Sequence, residues 1–275
     1  LGHDAGGVLH RHHVAREGHH AAPEFAVQRR QGRFQKGLGR RIGHGASRRF
    51  LANCVEVIDT EMNSATDNPL VFVPSQLRGK GEGPGGGEIM SGGNFHGEYV
   101  AMAMDTAAIA LSELANISDL RIQKLINPAI SGLPAFLTKD PGLNSGMMIV
   151  QVASASLVSE NKVLSHPASV DSIPTSADKE DHVSMGVTAA RKARQILGNL
   201  RNVLAMELLC ASQGIELLRP LKANKGLEAV HGLIRTVVPP IEEDRIFHHD
   251  ISAIHGLLAD GRVLAAAESA LGELE

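Results

Sequence analysis

The chain has 275 residues, of which 43% are hydrophobic, 21% charged and 3% aromatic, and its formal net charge is −3. This hydrophobic fraction excludes global disorder and a collagen-like repeat, and a total of two cysteines excludes a disulfide-rich scaffold. No run of about 20 apolar residues indicates a membrane span, and the first residues contain no apolar signal core. We therefore expect a cytoplasmic protein with a sizeable buried core.

The charge is divided unevenly along the chain. Residues 1–50 hold 10 Lys and Arg against 3 Asp and Glu, whereas residues 51–275 hold 17 against 27. The first segment shows neither helical nor strand periodicity, and we expect it to be disordered or non-native. Residues 51–275 form the predicted helical part.

Two functional interpretations of residues 1–50 are weak. Its basic residues could neutralise phosphates, but only Phe25 and Phe34 could stack on bases, so nucleic-acid binding is not favoured. Its histidines match no known zinc spacing, so we predict no metal site. The candidate phosphate-binding residues are Arg29, Arg30, Arg33, Lys36, Arg40 and Arg41, and the clustered histidines are His10, His12, His13, His19 and His20.

From Leu51 the sequence predicts an amphipathic helix that stops at Asn68, because Pro69 disfavours helical geometry in the preceding residue. The segment LVFV at 70–73 is the one strand-like stretch, and the glycine-rich residues 78–95 predict a flexible loop. Cys54 and Cys210 are isolated and far apart, so we expect reduced core residues.

Helices dominate the remainder of the chain. They are expected over about 95–126, 145–164, 183–218 and 227–238, and again after Asp250, with prolines ending several of them. The helix over 183–218 would be roughly 50 Å long, which suits a large bundle. Its predicted apolar stripe is Leu197, Leu200, Leu204, Leu208, Ala211, Ile215 and Leu218. The predicted fold class is all-α.

Three polar segments lie at boundaries between the apolar elements, where function concentrates on a rigid scaffold. They read TEMNSATDNP at 60–69, SGGNFHGE at 91–98 and SHPASVDSIPTSADKEDHVSMG at 165–186. Taken singly, each could equally supply ordinary turn and cap residues. In this order, the three segments resemble the aromatic amino acid ammonia-lyase family, and its histidine branch in particular. Three further stretches carry the same resemblance, and they read NPAISGLPAFL, GLNSGMMI and LAMELLCASQGIELLRPLK. The resemblance covers about residues 55–260.

The resemblance implies roles for four residues. Asn68 would lie near the amino-acid head group of the substrate, and Phe95 would form an aromatic wall beside the family's electrophile. Glu180 would face the substrate imidazole, and it is the catalytic candidate together with Phe95. Met148 stands where phenylalanine-type relatives usually carry lysine, so Met148 and Glu180 both favour histidine. His96 and His182 lie beside the matched positions and receive no catalytic role.

The resemblance also implies a reaction and an assembly. The implied reaction is elimination of ammonia from L-histidine to give urocanate, in a homotetramer built around long helices. The family uses a methylidene-imidazolone formed from an internal Ala-Ser-Gly, and the 275 residues contain no such tripeptide. The family's catalytic tyrosine segment is not found before residue 60, and Tyr99 does not match it.

The missing Ala-Ser-Gly tripeptide and the missing tyrosine segment leave three interpretations of the chain. The chain is a fragment or a mispredicted product of a histidine ammonia-lyase-like gene, incomplete for catalysis alone. Alternatively, it is an inactive helical oligomerisation or regulatory paralogue, or it derives from a related ammonia-lyase or aminomutase with another substrate.

Overall fold

The computed structural model describes residues 23–73 and 87–274, and side chains only from residue 42 onward. The chain divides into two compact units, residues 1–41 and 42–275, and the candidate site belongs to the second. The five N-terminal histidines and most of the glycine-rich loop lie outside the described residues, as do the side chains of the N-terminal basic cluster. The predicted boundary at residue 50 stays a prediction.

The regular secondary structure of the described residues is helical apart from one small hairpin, which confirms the all-α prediction. Strands β1 (Leu70–Phe72) and β2 (Glu88–Met90) pair antiparallel, with Val71 opposite Ile89. The helices are α1 (Pro23–Met62), α2 (Glu98–Ile126), α3 (Pro128–Ser131), α4 (Met148–Leu164), α5 (Gly186–Leu217), α6 (Lys225–Arg235), α7 (Phe247–Ala259) and α8 (Arg262–Leu271), with single 3₁₀ turns at Asn94–His96 and Ala135–Leu137.

Helix α1 begins earlier than the apolar periodicity predicts. It starts at Pro23, whose fixed φ suits the first helical position, and Glu24 follows in the first turn. Glutamine, arginine and lysine are good helix formers even where no apolar stripe recurs. Apolar periodicity detects only a helix that buries one apolar face, so it does not detect a helix rich in glutamine, arginine and lysine.

Helices α2 and α5 run side by side in the same direction. At one end Gly186 lies against the carbonyl oxygen of Gly97, 3.4 Å from where its Cβ would stand. At the other end Arg121 and Ser118 of α2 bind the Glu207 carboxylate of α5. Half of the buried residues of α2 are alanines, namely Ala101, Ala103, Ala107, Ala108, Ala110 and Ala115. Ala108 packs with Ala193 and Ile196 of α5, and such small side chains allow close approach of the two backbones.

The main hydrophobic core lies toward the C-terminal ends of α2 and α5. There α4, α6 and α7 contribute Val150, Ile234 and Ile254, which pack with Ile122 and Leu209. Each of these five side chains is almost fully buried. Burial of such a side chain stabilises the fold by about 1.5–3 kcal/mol relative to exposure.

The stripe predicted for α5 is only partly buried within this chain. Of its seven residues Leu200 is buried, Leu197 and Leu218 are exposed, and the other four are half-buried. The observed buried face instead includes Ile196, Val203, Met206, Leu209 and Cys210. A helix packed on several sides is apolar on more than one face, so a spacing of three or four residues fits several stripes equally well.

The prediction that both cysteines are reduced core residues is confirmed. Cys54 and Cys210 are buried and free, and burial raises the pKa of both thiols. By length and composition alone the segment Asn94–Ile126 could cross a membrane, although half of its most apolar window is buried inside the protein. The absence of a membrane span therefore stays a prediction.

Helix α4 begins after a glycine that no other residue can replace without strain. Gly146 has φ = +55°, and a Cβ there would lie 2.5 Å from the carbonyl oxygen of Phe136. Its N–H donates to Asp244 Oδ1 at 2.8 Å, and the neighbouring Met147 N–H donates to the same Phe136 oxygen at 2.8 Å. The path of the backbone into α4 therefore depends on a glycine at position 146.

We expect Gly146→Ala to destabilise the protein by at least about 2 kcal/mol, because positive φ and a backbone clash add together. The control is Gly198→Ala in α5, where a Cβ meets nothing within 4 Å; it should stabilise by about 0.5–1 kcal/mol through helix propensity. Urea unfolding followed by circular dichroism measures both. Equal midpoints for the two variants would contradict this account of Gly146.

Candidate active site

The three polar segments are joined through the loop 91–97, which precedes α2. Asn68, at the end of the α1–β1 connection, contacts the start of this loop, and Glu180 contacts its end. Asn94, between them, donates to both oxygens of Glu61 in α1 at 3.3–3.4 Å. The loop thus links three of the four predicted site residues, Asn68, Phe95 and Glu180.

Asn68 has its amide oxygen committed to the loop. Ser91 Oγ donates to Asn68 Oδ1 at 2.9 Å, and the Gly92 N–H donates to the same atom at 3.3 Å. The Asn68–Pro69 peptide bond is cis, and Asp67 Oδ1 accepts the Asn68 N–H at 2.8 Å. The amide nitrogen of this exposed side chain remains the atom that can donate to an anionic group.

Phe95, His96 and Glu180 form the centre of the site. The rings of Phe95 and His96 have centroids 4.1 Å apart. His96 Nε2 lies 3.0 Å from Glu180 Oε2, at side-chain exposures of 19% and 35%. Ser184 Oγ donates a short hydrogen bond to the backbone oxygen of His96.

A second histidine–carboxylate pair lies beside the first. His182 is 6.3 Å from His96, ring centroid to ring centroid, in an edge-on arrangement. His182 Nε2 lies 3.7 Å from Glu98 Oε2. Glu98 is in the first turn of α2, where the helix dipole favours a negative charge. Two carboxylates and two imidazoles are therefore concentrated where α2 and α5 begin.

Glu180 stands on a turn with an uncommon backbone. Ser176, Ala177 and Asp178 all have positive φ, between 53° and 63°. Thr175 and Glu180 close the turn by exchanging two backbone hydrogen bonds, at 3.0 and 3.3 Å. Three successive left-handed residues without glycine are strained, and such strain clusters at functional sites.

Asp105 holds the segment that leads to this turn, and sequence analysis missed it. Its Oδ2 accepts the N–H groups of Ala168 and Ser169 at 2.7 Å each. Lys192 Nζ lies 3.5 Å from Asp105 Oδ1 and also donates a short hydrogen bond to the His166 carbonyl. Asp105 is 3% exposed. The sequence did contain a signal for this role, because the helical spacing places the carboxylate of Asp105 on the same face of α2 as Ala101 and Ala108.

Met148 is the site candidate that the described contacts do not join to the others. It is the first residue of α4 and is 37% exposed. The start of α4 is anchored elsewhere, by Asp244, which accepts the N–H groups of Ser145 and Gly146 at 2.6 and 2.8 Å. The specificity role of Met148 therefore stays a prediction, as do the roles of the other three residues.

Comparison with known proteins identifies the family to which this architecture belongs. Residues 42–236 match the family model described as aromatic amino acid lyase. The chain belongs to the aromatic amino acid lyase family. It is 52% identical over 232 residues to a histidine ammonia-lyase of Symbiobacterium thermophilum, an alignment that covers 84% of this chain and 44% of that protein.

Two solved structures resemble the chain. The crystal structure of histidine ammonia-lyase from Trypanosoma cruzi superposes with a TM-score of 0.76 at 50% identity, over 82% of this chain and 42% of that one. A tyrosine aminomutase from Streptomyces globisporus gives a TM-score of 0.75 at 35% identity, over 84% and 42%. The chain thus spans less than half the length of these relatives.

We expect Asp105→Ala to destabilise the chain by about 3 kcal/mol, because the N–H groups of Ala168 and Ser169 and the ammonium of Lys192 lose their shared partner. The N–H groups of Ala168 and Ser169 should also lose their protection from hydrogen exchange. Asp59→Ala, at an exposed position of α1, is the control and should change stability by less than about 0.5 kcal/mol. Unchanged exchange at residues 168 and 169 would refute the assignment.

Proposed function

We propose that this chain is the C-terminal catalytic part of a cytoplasmic histidine ammonia-lyase, which eliminates ammonia from L-histidine to give urocanate. The observation that carries the proposal is the Glu180 carboxylate, which pairs with His96 in the same loop as Phe95. The likeness to proteins named histidine ammonia-lyase supports it.

The chain's own residues account for binding and orientation. Glu180 accepts the N–H of the substrate imidazole, a ring that is both a donor and titratable near neutral pH. The amide nitrogen of Asn68 donates to the substrate carboxylate, and Phe95 restricts the plane of the ring. Fixing the substrate at several points lowers the entropic barrier to reaction.

The electrophile of the family does not fit the residues present. Methylidene-imidazolone forms from Ala-Ser-Gly, and none occurs in the 275 residues. When present, that group supplies the electron sink for a reaction whose β-proton is weakly acidic. We propose that a separate N-terminal part supplies it, together with the tyrosine base, so the chain by itself binds and orients only.

The pure chain should form no urocanate from L-histidine, as followed by ultraviolet absorbance. Mixing it with the N-terminal part of the Symbiobacterium thermophilum relative should produce activity. Glu180→Gln should then lower that activity at least about tenfold, because an amide accepts the imidazole N–H less strongly than a carboxylate. The control is the exposed Glu243→Gln.

The outcomes separate the candidate functions. Urocanate formation by the pure chain would overturn the proposed division of the site. A stable complex without activity would favour the inactive helical paralogue, and turnover of an aromatic amino acid other than histidine would favour a related lyase or aminomutase.

We further propose that the chain self-associates through helix α2, as expected of a homotetramer built on long helices. One face of α2 exposes Tyr99, Met102, Ile109 and Leu120 over about 30 Å, at the spacing of a helical stripe. Each is about half exposed or more. Exposed apolar side chains that recur on one face of a helix are typical of a protein interface.

Ile109→Glu should shift the protein to a smaller species, because a charge would be buried in the interface. Leu221→Glu, an equally apolar exposed position in the loop after α5, is the control and should leave the size unchanged. Size-exclusion chromatography with light scattering measures both. A wild-type chain that is monomeric at all accessible concentrations would contradict the proposal.

A further inference from the structure

We propose that His96 is a positioning residue, which holds one oxygen of Glu180 so that the other faces the substrate ring. The contact itself is a property of this chain. Its consequence for turnover rests on the proposed function. His96 matches no role that the family resemblance implied.

The Glu180 carboxylate needs an external partner to hold a fixed direction. The two backbone hydrogen bonds with Thr175 define the turn but leave the side-chain torsions free. Residues 171–179 are all exposed, so neighbouring side chains provide little packing. A glutamate in such a place would sample several rotamers and lose entropy when a substrate binds.

His96 can supply that partner because its own position is fixed. It is 19% exposed, its ring lies against Phe95, and its carbonyl oxygen accepts from Ser184 on the chain that leads from Glu180 to α5. Gly97 follows with φ = +71° and begins α2. The imidazole therefore stands on the rigid end of a core helix, whereas the carboxylate stands on an exposed loop.

The contact favours one tautomer of His96. Its Nε2 lies 3.0 Å from Glu180 Oε2, so a proton on Nε2 would face the carboxylate. A hydrogen bond to a charged acceptor is about twice as strong as a neutral one. Donation to Oε2 leaves Oε1 free to accept an N–H from a ligand ring. The neighbouring His182 ring lies edge-on to the His96 ring, with the two centroids 6.3 Å apart.

Trypsin tests the contact in the chain alone, because Lys179 immediately precedes Glu180 and is exposed. Cleavage at such a site follows the population of the open loop. His96→Ala should accelerate cleavage after Lys179 about tenfold, the effect of one charge-assisted hydrogen bond. His96→Gln retains an N–H donor and should stay within about threefold of the wild type.

Two internal controls separate positioning from a general loss of structure. Cleavage after Lys139, in a different exposed loop, and the urea midpoint should be unchanged in His96→Ala. His249→Ala, an exposed histidine on α7, should alter neither cleavage rate. Unchanged cleavage after Lys179, or equal acceleration at both lysines, would overturn the proposal.

Reconstitution with the N-terminal part of the relative tests the functional consequence. There His96→Ala should lower kcat/KM for L-histidine about tenfold to a hundredfold, and His96→Gln should recover most of it. No change in kcat/KM would overturn the positioning role in catalysis. If the wild-type mixture has no activity, the proposed function fails, and the trypsin experiment still decides whether His96 holds Glu180.

Discussion

The close packing of helices α2 and α5 is the constraint on which the rest of the described structure depends. Small residues such as Ala108 and Ala193 meet at this interface, and close contact gains dispersion energy. Because the two helices run in the same direction, their N-terminal ends meet at Gly97 and Gly186. The loops that precede both helices are therefore brought together, and these loops carry His96 and Glu180.

The same arrangement determines the electrostatics of the candidate site. Two helix N-termini present unsatisfied N–H groups and a partial positive charge. The carboxylates of Glu98 and Glu180 lie there, each paired with a histidine. Farther along, the buried interface uses charges as well, in Asp105 with Lys192 and in Arg121 with Glu207. Such pairs are costly to break, so they define one register between the two helices.

Residues that touch no ligand in any proposed role are as necessary to the site as those that do. Asp105 lies on the core helix and binds the backbone of residues 168 and 169, about ten residues before Glu180. Gly146 and Asp244 direct the start of α4, where Met148 stands. The loops are long and polar, and without these anchors their conformational entropy would leave the site side chains dispersed.

The sequence by itself determined the all-α class, the order of the helices, the buried free cysteines and the three polar segments, because apolar spacing, proline and glycine are local signals. It did not determine which face of α5 is buried, since several stripes fit one apolar helix. Only the tertiary structure decided that Asn68 and Glu180 both contact the loop that carries Phe95, that His96 meets Glu180, and that Asp105 holds the third segment. These contacts join residues up to about ninety positions apart, and their geometry follows from how α2 and α5 pack, which no local pattern encodes.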